Sequence, residues 1–268
     1  MFSTNIFKNT NNLYYIGGIV RDEILGKDSY DVDLTYVGNA IEYVKTIPNI
    51  EIIQLNEAFG TVRIKADSQE IDIASTRSEI YEKAGHLPTV TNIGCDLKTD
   101  VMRRDFTINA LAKSVTTDKI IDYTGGLEDL KNKKLRVLHD NSFIDDPTRI
   151  IRGLKFSVRF GFELEEHTKK LQDEYLANIN YDMSCKRLKK ELVETFNLDK
   201  WSAFERFVNE GIYKLVAPPE FELPKYDFSK LIKEYIAPHH YSCPPKGRGK
   251  EINIWICYVG LLPDISDL

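Results

Sequence analysis

The sequence predicts a first region of mixed strands and helices, of α/β or α+β class, followed by an all-helical region, and three observations carry that prediction. Between Leu13 and Ala74 short apolar runs of β period alternate with segments of helical period. Glycines and polar turns at Gly17-Gly18, Gly26-Lys27-Asp28, Gly60 and Asp67-Ser68 separate them. From Glu163 onward apolar residues recur at helical spacing. The 268 residues are enough for two domains, or for one domain with a helical extension, and a hydrophobic content of 42% fills a real core. No apolar run approaches the ~20 residues of a membrane span. The N-terminus lacks a basic-then-apolar signal, so the expectation is a soluble, cytoplasmic protein with no membrane contact. Cys95, Cys185, Cys243 and Cys257 are too scattered for a zinc site or a disulfide framework and are expected as thiols. A net charge of −5 argues against nucleic-acid binding by the whole surface and leaves room only for a local basic patch.

Taken in order, residues 1–12 are a polar lead-in with no assigned role, and Leu13 to Ile16 read as a buried strand. Gly17-Gly18 then allow close approach of the backbone to a ligand before a helix over Val20–Leu25. A helix start of this kind suits an anion, and Arg21 adds a planar fork for phosphate oxygens. Tyr30 to Thr35 read as the next strand, on which Asp31 and Asp33 share one face. Two such carboxylates repel unless a cation sits between them, and the cation that also takes substrate phosphates is Mg²⁺. A helix over Asn39–Thr46 and strands over Ile50–Leu55, Thr61–Ala66 and Glu70–Ala74 follow. Asp72, between Ile71 and Ile73, is either a third metal-facing acid or a solvent-facing one. Residues 82–98 have few apolar anchors and read as a mobile loop.

Asp100 to Ala112 read as a helix with Val101, Ile108 and Leu111 on its apolar face, leaving Arg104 and Asp105 to face a ligand. Lys119–Tyr123 is a short strand and Thr124-Gly125-Gly126 a turn. Leu127–Asn132 is a short helix, and Leu135–His139 an edge strand whose His139 is structural. Pro147 starts a further helix on which Asp146, Arg149, Arg152 and Lys155 recur at spacing three as one polar stripe, with Ile150, Ile151, Leu154 and Phe156 behind it. An Asp–Arg pair at the head of such a stripe can offer acceptor and donors together to the edge of a base. Helices over Thr168–Ala177, Ser184–Phe196, Ser202–Val216 and Phe228–Ile236 complete the pattern, with Pro-rich breaks at Ala217–Pro224 and Pro244-Pro245. Residues 184–192 hold the densest basic cluster, a candidate for RNA backbone.

Gly17-Gly18-x-Val20-Arg21-Asp22 followed by Asp31-x-Asp33 resembles the first signature of the polymerase-β-like nucleotidyltransferases, and more closely that of the class II tRNA nucleotidyltransferase and bacterial poly(A) polymerase family. Arg103-Arg104-Asp105, Asp122-x-x-Gly125-Gly126, Asp145-Asp146-Pro147-Thr148-Arg149 and residues 184–192 resemble its later motifs, in the right order over residues 14–196. The resemblance implies a polymerase-β-like head over residues 1–139, a helical, base-selecting neck over 140–200 and a partial body over 201–268. It implies template-independent addition of CMP, AMP or both to the 3′ end of tRNA from CTP and ATP, with Mg²⁺ as cofactor and pyrophosphate released. Poly(A) polymerase activity on other RNA ends and a noncatalytic RNA- or nucleotide-binding relative are the alternatives. By the same resemblance Asp31 and Asp33 hold the metal, with Asp72 as a further candidate, and Gly17, Gly18, Arg21 and Arg104 hold phosphates. Asp105 takes ribose hydroxyls, Asn109 belongs to the nucleotide site, and Asp146 and Arg149 read the base, with Arg152 and Lys155 further along the helix. Asp145 stands where the family pattern has Glu, and Lys155 where Arg is common, which gives charge without a bidentate fork. The oligomeric state is left open.

Overall fold

The computed structural model describes Phe7 and residues 10–29, 31–66, 69–180 and 185–217. They fall into two compact units, one of residues up to Lys83 together with Leu87–Ser142, the other of Ala84–His86 together with the residues from Phe143.

The first unit is α+β. Its elements are β1 (Leu13–Ile16), α1 (Gly18–Ile24), β2 (Val32–Tyr36), α2 (Ala40–Lys45), β3 (Glu51–Asn56), β4 (Thr61–Ala66) and β5 (Gln69–Ser75). There follow β6 (Arg77–Ile80), β7 (Thr89–Ile93), α3 (Leu97–Met102), β8 (Ala112–Ser114), β9 (Ile120–Ile121) and α4 (Gly126–Lys131). Seven strands form one sheet in the order β3-β4-β5-β2-β1-β8-β9. The β2–β5 pair is parallel and the others antiparallel. One face packs Leu13, Val32, Leu34, Val62, Ile64, Ile71 and Ile73 against Ala40, Ile41 and Val44 of α2 and against Phe7. Because side chains alternate along a strand, this apolar set forces Asp33, Asp72 and Arg63 onto the other face. They lie side by side there, Asp33 opposite Asp72 and Asp72 opposite Arg63.

The structure moves several expected boundaries. Helix α1 begins at Gly18, directly after Gly17, whose positive φ of 73° suits glycine. Strand β2 begins at Val32, so Asp31 stands just before it rather than within it. The loop expected over 82–98 contains β7, which pairs antiparallel with β6. The single helix expected over Asp100–Ala112 is instead α3, an extended turn, a 3₁₀ turn at Thr107–Asn109 and then β8. Tertiary backbone bonds account for that break. Phe106 bridges to Val137, and the Thr107 amide donates to the Arg136 carbonyl at 2.9 Å, which takes these amides out of any helical ladder.

The second unit is helical. A single turn, α5 (Ser142–Asp145), precedes α6 (Thr148–Phe160), α7 (Glu166–Ala177), α8 (Cys185–Phe196) and α9 (Lys200–Asn209). Ile150, Ile151, Leu154 and Phe156 of α6 are buried with Leu188, Leu192 and Phe196 of α8 and with Phe204 and Phe207 of α9. Phe196 and Phe207 meet edge to face at 5.7 Å. The helix expected over Ser202–Val216 is interrupted at Gly211, whose φ of 72° opens a 3₁₀ turn at Ile212–Leu215. The helix expected over Phe228–Ile236 and the Pro-rich breaks beyond Ala217 lie outside the described residues. Among those residues no helix is long and apolar enough to cross a membrane.

Candidate active site

Asp33 reaches solvent from a crowded position on the polar face of the sheet. Loss of surrounding water and then the Asp72 carboxylate push its own carboxyl above the usual range, Asp31 adds to this, and Arg104 opposes it. Acidic charge is therefore gathered here under mutual repulsion, and its oxygens are the donors that hard divalent ions take. Asp31 and Asp33 fit a divalent metal on that ground. Asp72 does not present itself as the expected third acid. Both of its oxygens are taken by Arg63, from Nε at 2.7 Å and Nη2 at 2.7 Å. Among the described residues no three His, Cys, Asp or Glu side chains are gathered as ligands of one ion.

Beside this face the chain turns at Gly17-Gly18. The Gly17 amide donates to the Leu111 carbonyl at 3.2 Å, and a Cβ on Gly17 would meet Arg104 Nη1 at 3.2 Å. Arg104 donates from Nη2 to Asp100 at 3.4 Å, while its Nε is buried with no hydrogen-bond partner. Burial pulls the Arg104 pKa down, against the pull of Asp100. A guanidinium that keeps part of its surface in solvent and sets Nη1 at a glycine turn offers an anion a charged donor there. Asp100 anchors it. Wholly buried, Asp100 also accepts from the Arg77 amide at 3.1 Å and from Arg103 Nε and Nη2 at 3.0 and 2.8 Å. Burial alone would raise its carboxyl, but Arg104 and Arg103 hold it below the usual carboxylate range.

Arg21 departs from its expected role as a phosphate fork. It is 4% exposed. Its Nε and Nη2 lie 2.8 Å from Asp22 Oδ1, and its Nη1 donates to Asn109 Oδ1 at 2.5 Å. Asn109 in turn donates to Asp105 at 3.0 Å, and the same Asp105 oxygen accepts the Phe106 amide at 2.7 Å. Arg21 thus ties α1 to the 3₁₀ turn and sets Asn109 and Asp105. The Gly125-Gly126 turn supports that 3₁₀ turn from behind. A Cβ on Gly126 would lie 2.4 Å from the Thr107 carbonyl oxygen, and Asp129 accepts from Thr107 Oγ1 at 2.7 Å. Asp122 accepts the amides of Thr124, Gly125, Gly126 and Leu127 at 2.9–3.1 Å. Sequence reasoning missed Asp22 and Asp100 as parts of the site, since an acid beside an arginine gives no sign of what its partner will bind.

In the second unit the stripe Asp146, Arg149, Arg152 and Lys155 is not a solvated row. Asp146 and Arg149 are buried, at 8% and 4% exposed. Asp146 Oδ1 accepts the Thr148 amide at 3.1 Å and its hydroxyl at 2.7 Å, closing the start of α6, while Oδ2 accepts from Arg187 at 2.6 Å. Arg187 also donates to the Gly85 carbonyl at 2.8 Å. Arg152 reaches Glu191 at 3.3 Å, and Lys155 reaches Glu191 and Glu194 at 2.5 and 2.9 Å. The basic cluster of α8 is therefore split, with Arg187 turned to Asp146 while Lys189 and Lys190 remain exposed. Arg187 and Glu191 were not singled out from sequence, because their partners lie about 40 positions away.

Residues 13–136 match the Poly A polymerase head domain. An A-adding tRNA nucleotidyltransferase of Aquifex aeolicus is 45% identical over 163 residues, 59% of this chain and 20% of that protein. A solved tRNA nucleotidyltransferase complexed with a primer tRNA and an incoming ATP analogue is 34% identical with a TM-score of 0.68, covering 82% of this chain and 62% of that one. A solved tRNA-processing enzyme complex is 31% identical with a TM-score of 0.72, covering 95% of this chain and 68% of that one. The chain spans a fifth of the length of the Aquifex relative. With its glycine turn, paired acids and Arg104 on an α+β head, and helices of matching fold after it, the chain belongs to the class II tRNA nucleotidyltransferase family.

Proposed function

We propose that the chain adds CMP, AMP or both to the 3′ end of tRNA from CTP and ATP, with Mg²⁺, and releases pyrophosphate. The observation that carries this is Arg104, a half-buried cation whose Nη1 stands at the Gly17 turn and whose Nε has no hydrogen-bond partner, within electrostatic reach of the Asp33 carboxylate. It pairs a phosphate holder with a metal holder. Relatives with A-adding activity and a structure holding tRNA and an ATP analogue support the substrates. The family generally uses a divalent metal. In this chain Asp31 and Asp33 would hold Mg²⁺, which when bound neutralises phosphate charge and lowers the pKa of an attacking hydroxyl. Gly17, Gly18 and Arg104 receive the triphosphate. Arg21 acts behind them by setting Asn109 and Asp105, the latter toward the ribose. Asp146 and Arg149 read the base, Arg152 and Lys155 steady α6 through Glu191, and exposed Lys189 and Lys190 are the proposed local contact to RNA backbone. Residues 140–200 are the base-selecting neck and 201–268 the body, in a cytoplasmic protein. Poly(A) synthesis is the second reading, favoured by the match of residues 13–136 to a poly(A) polymerase head.

Incubating the protein with tRNA ending before CCA, Mg²⁺ and each labelled NTP, singly and together, tests the proposal. Addition of CCA, CC or a single A supports it, a long A tail replaces it with poly(A) synthesis, and no addition refutes both. Within the same assay Asp105→Ala is expected to relax the choice of NTP over dNTP, since discrimination rests on a polar partner left unmatched by the wrong sugar. A fall in activity with the preference for NTP over dNTP unchanged would make Asp105 structural. Arg149→Ala is expected to admit UTP or GTP, with discrimination reduced by about 1–3 kcal/mol, the range of a bidentate base contact. Arg152→Ala, whose partner is Glu191, is expected to slow addition with base preference kept. An unchanged ratio of ATP to UTP use in Arg149→Ala would remove α6 from base reading.

A further inference from the structure

We infer that Arg63 is a positioning residue that holds Asp72 off the metal, so that Asp31 and Asp33 alone serve as the protein's carboxylate ligands; the inference rests on the reading of those two as metal ligands. The sheet register carries it. Asp72 of β5 stands between two neighbours on one face, Asp33 of β2 on one side and Arg63 of β4 on the other. Its carboxylate can therefore turn toward an ion held at Asp33 or toward the guanidinium, but not bring both oxygens to each. Nε and Nη2 of Arg63 take the two oxygens side-on, each at 2.7 Å. This is the bidentate form in which an arginine–carboxylate pair is strongest and most directional. Arg63 also lies 3.8 Å from Glu70 and feels the charge of Asp31, so acidic groups surround a guanidinium that is itself partly open to water. The fork replaces a third free carboxylate by one whose two oxygens are already engaged. Because the affinity of an oxygen site rises with the number of charged ligands, the pair keeps the metal loosely held by protein alone and leaves coordination positions to phosphate and hydroxyl oxygens.

The test is Mn²⁺ binding to the full chain without nucleotide, followed by the electron paramagnetic resonance of free Mn²⁺ and by water-proton relaxation at the bound ion. Arg63→Gln is expected to bind Mn²⁺ about tenfold more tightly, because the freed Asp72 adds a charged oxygen ligand. The bound ion should also relax fewer waters, because Asp72 displaces one. Arg63→Lys keeps the charge but loses the fork, so it should shift both readouts in the same direction. Adding Asp72→Asn to Arg63→Gln should undo both changes. The inference is overturned if Arg63→Lys behaves as wild type while Arg63→Gln tightens, since charge alone would then explain the gain. It is equally overturned if water relaxation is unchanged in Arg63→Gln. Asp33→Asn separates the two levels: if it binds Mn²⁺ as wild type does, the metal site itself falls and the inference with it. If it loses Mn²⁺ while the Arg63 variants stay unchanged, only the role of Arg63 falls.

Discussion

Asp33→Ala is expected to reduce nucleotide addition by more than ~100-fold, because loss of a metal-holding carboxylate removes charge stabilisation from the transition state. The fold should survive. Asp33 projects from the polar face of β2, while Val32 and Leu34 on either side carry the packing of that strand. The carboxyl of Asp33 is raised in the folded chain by burial and by Asp72, so its charged form opposes folding wherever it is ionised in the unfolded chain. Removing it at neutral pH should therefore leave the thermal midpoint unchanged or slightly higher. A primer-extension rate in Mg²⁺ and a thermal melt on the same preparation check the two halves. A variant that extends at near the wild-type rate would show that Asp33 holds no essential metal. One that fails to fold would show that the residue belongs to the architecture of the sheet.

What could be read in the sequence was what depends on neighbours in the chain. The alternation of Val32, Asp33 and Leu34 fixes which side of β2 is polar, and that side is where Asp33 stands. Gly17-Gly18 marked the turn because only glycine tolerates both the positive φ and the approach of Arg104. What could not be read depends on partners far along the chain. Arg21 inside its motif reads the same whether it faces phosphate or Asn109, and Asn109 is 88 positions away. The stripe Asp146, Arg149, Arg152 and Lys155 has the spacing of a solvated helix face. Only the packing of α8 shows that Arg187 and Glu191 come to meet it. The helix drawn through Asp100–Ala112 failed for the same reason. Its apolar residues Val101, Ile108 and Leu111 are all buried as expected, but Arg136 and Val137 bind the backbone between them and break the period. Burial was legible there and conformation was not.

Asp100→Asn should be the most damaging conservative change in the first unit, costing about 3–5 kcal/mol, the range for removing one partner of a buried ion pair. Asp100 is wholly buried and receives the Arg77 amide together with the Arg103 and Arg104 guanidinium groups, with Glu79 the second acid of the group through the Arg77 and Arg103 side chains. An asparagine fills the same space but leaves the two adjacent guanidinium groups with one acid fewer. Against a typical domain stability of about 5–15 kcal/mol, such a loss is a large fraction of the whole. The pH dependence gives an independent sign. The Asp100 carboxyl is held below its usual value in the folded chain by Arg104 and Arg103, which outweigh burial. Its contribution to stability is thus present above the unfolded pKa of about 4 and is lost as pH falls through the lower folded value. Denaturant unfolding at neutral pH should show the full gap between wild type and variant, and the gap should narrow on acidification below about pH 4. In the folded fraction Arg104 loses its anchor, so KM for NTP should rise more than kcat falls. A gap under about 1 kcal/mol at neutral pH, the worth of an exposed pair, would mean that Arg103 and Arg104 find other acceptors and that Asp100 does not organise the site.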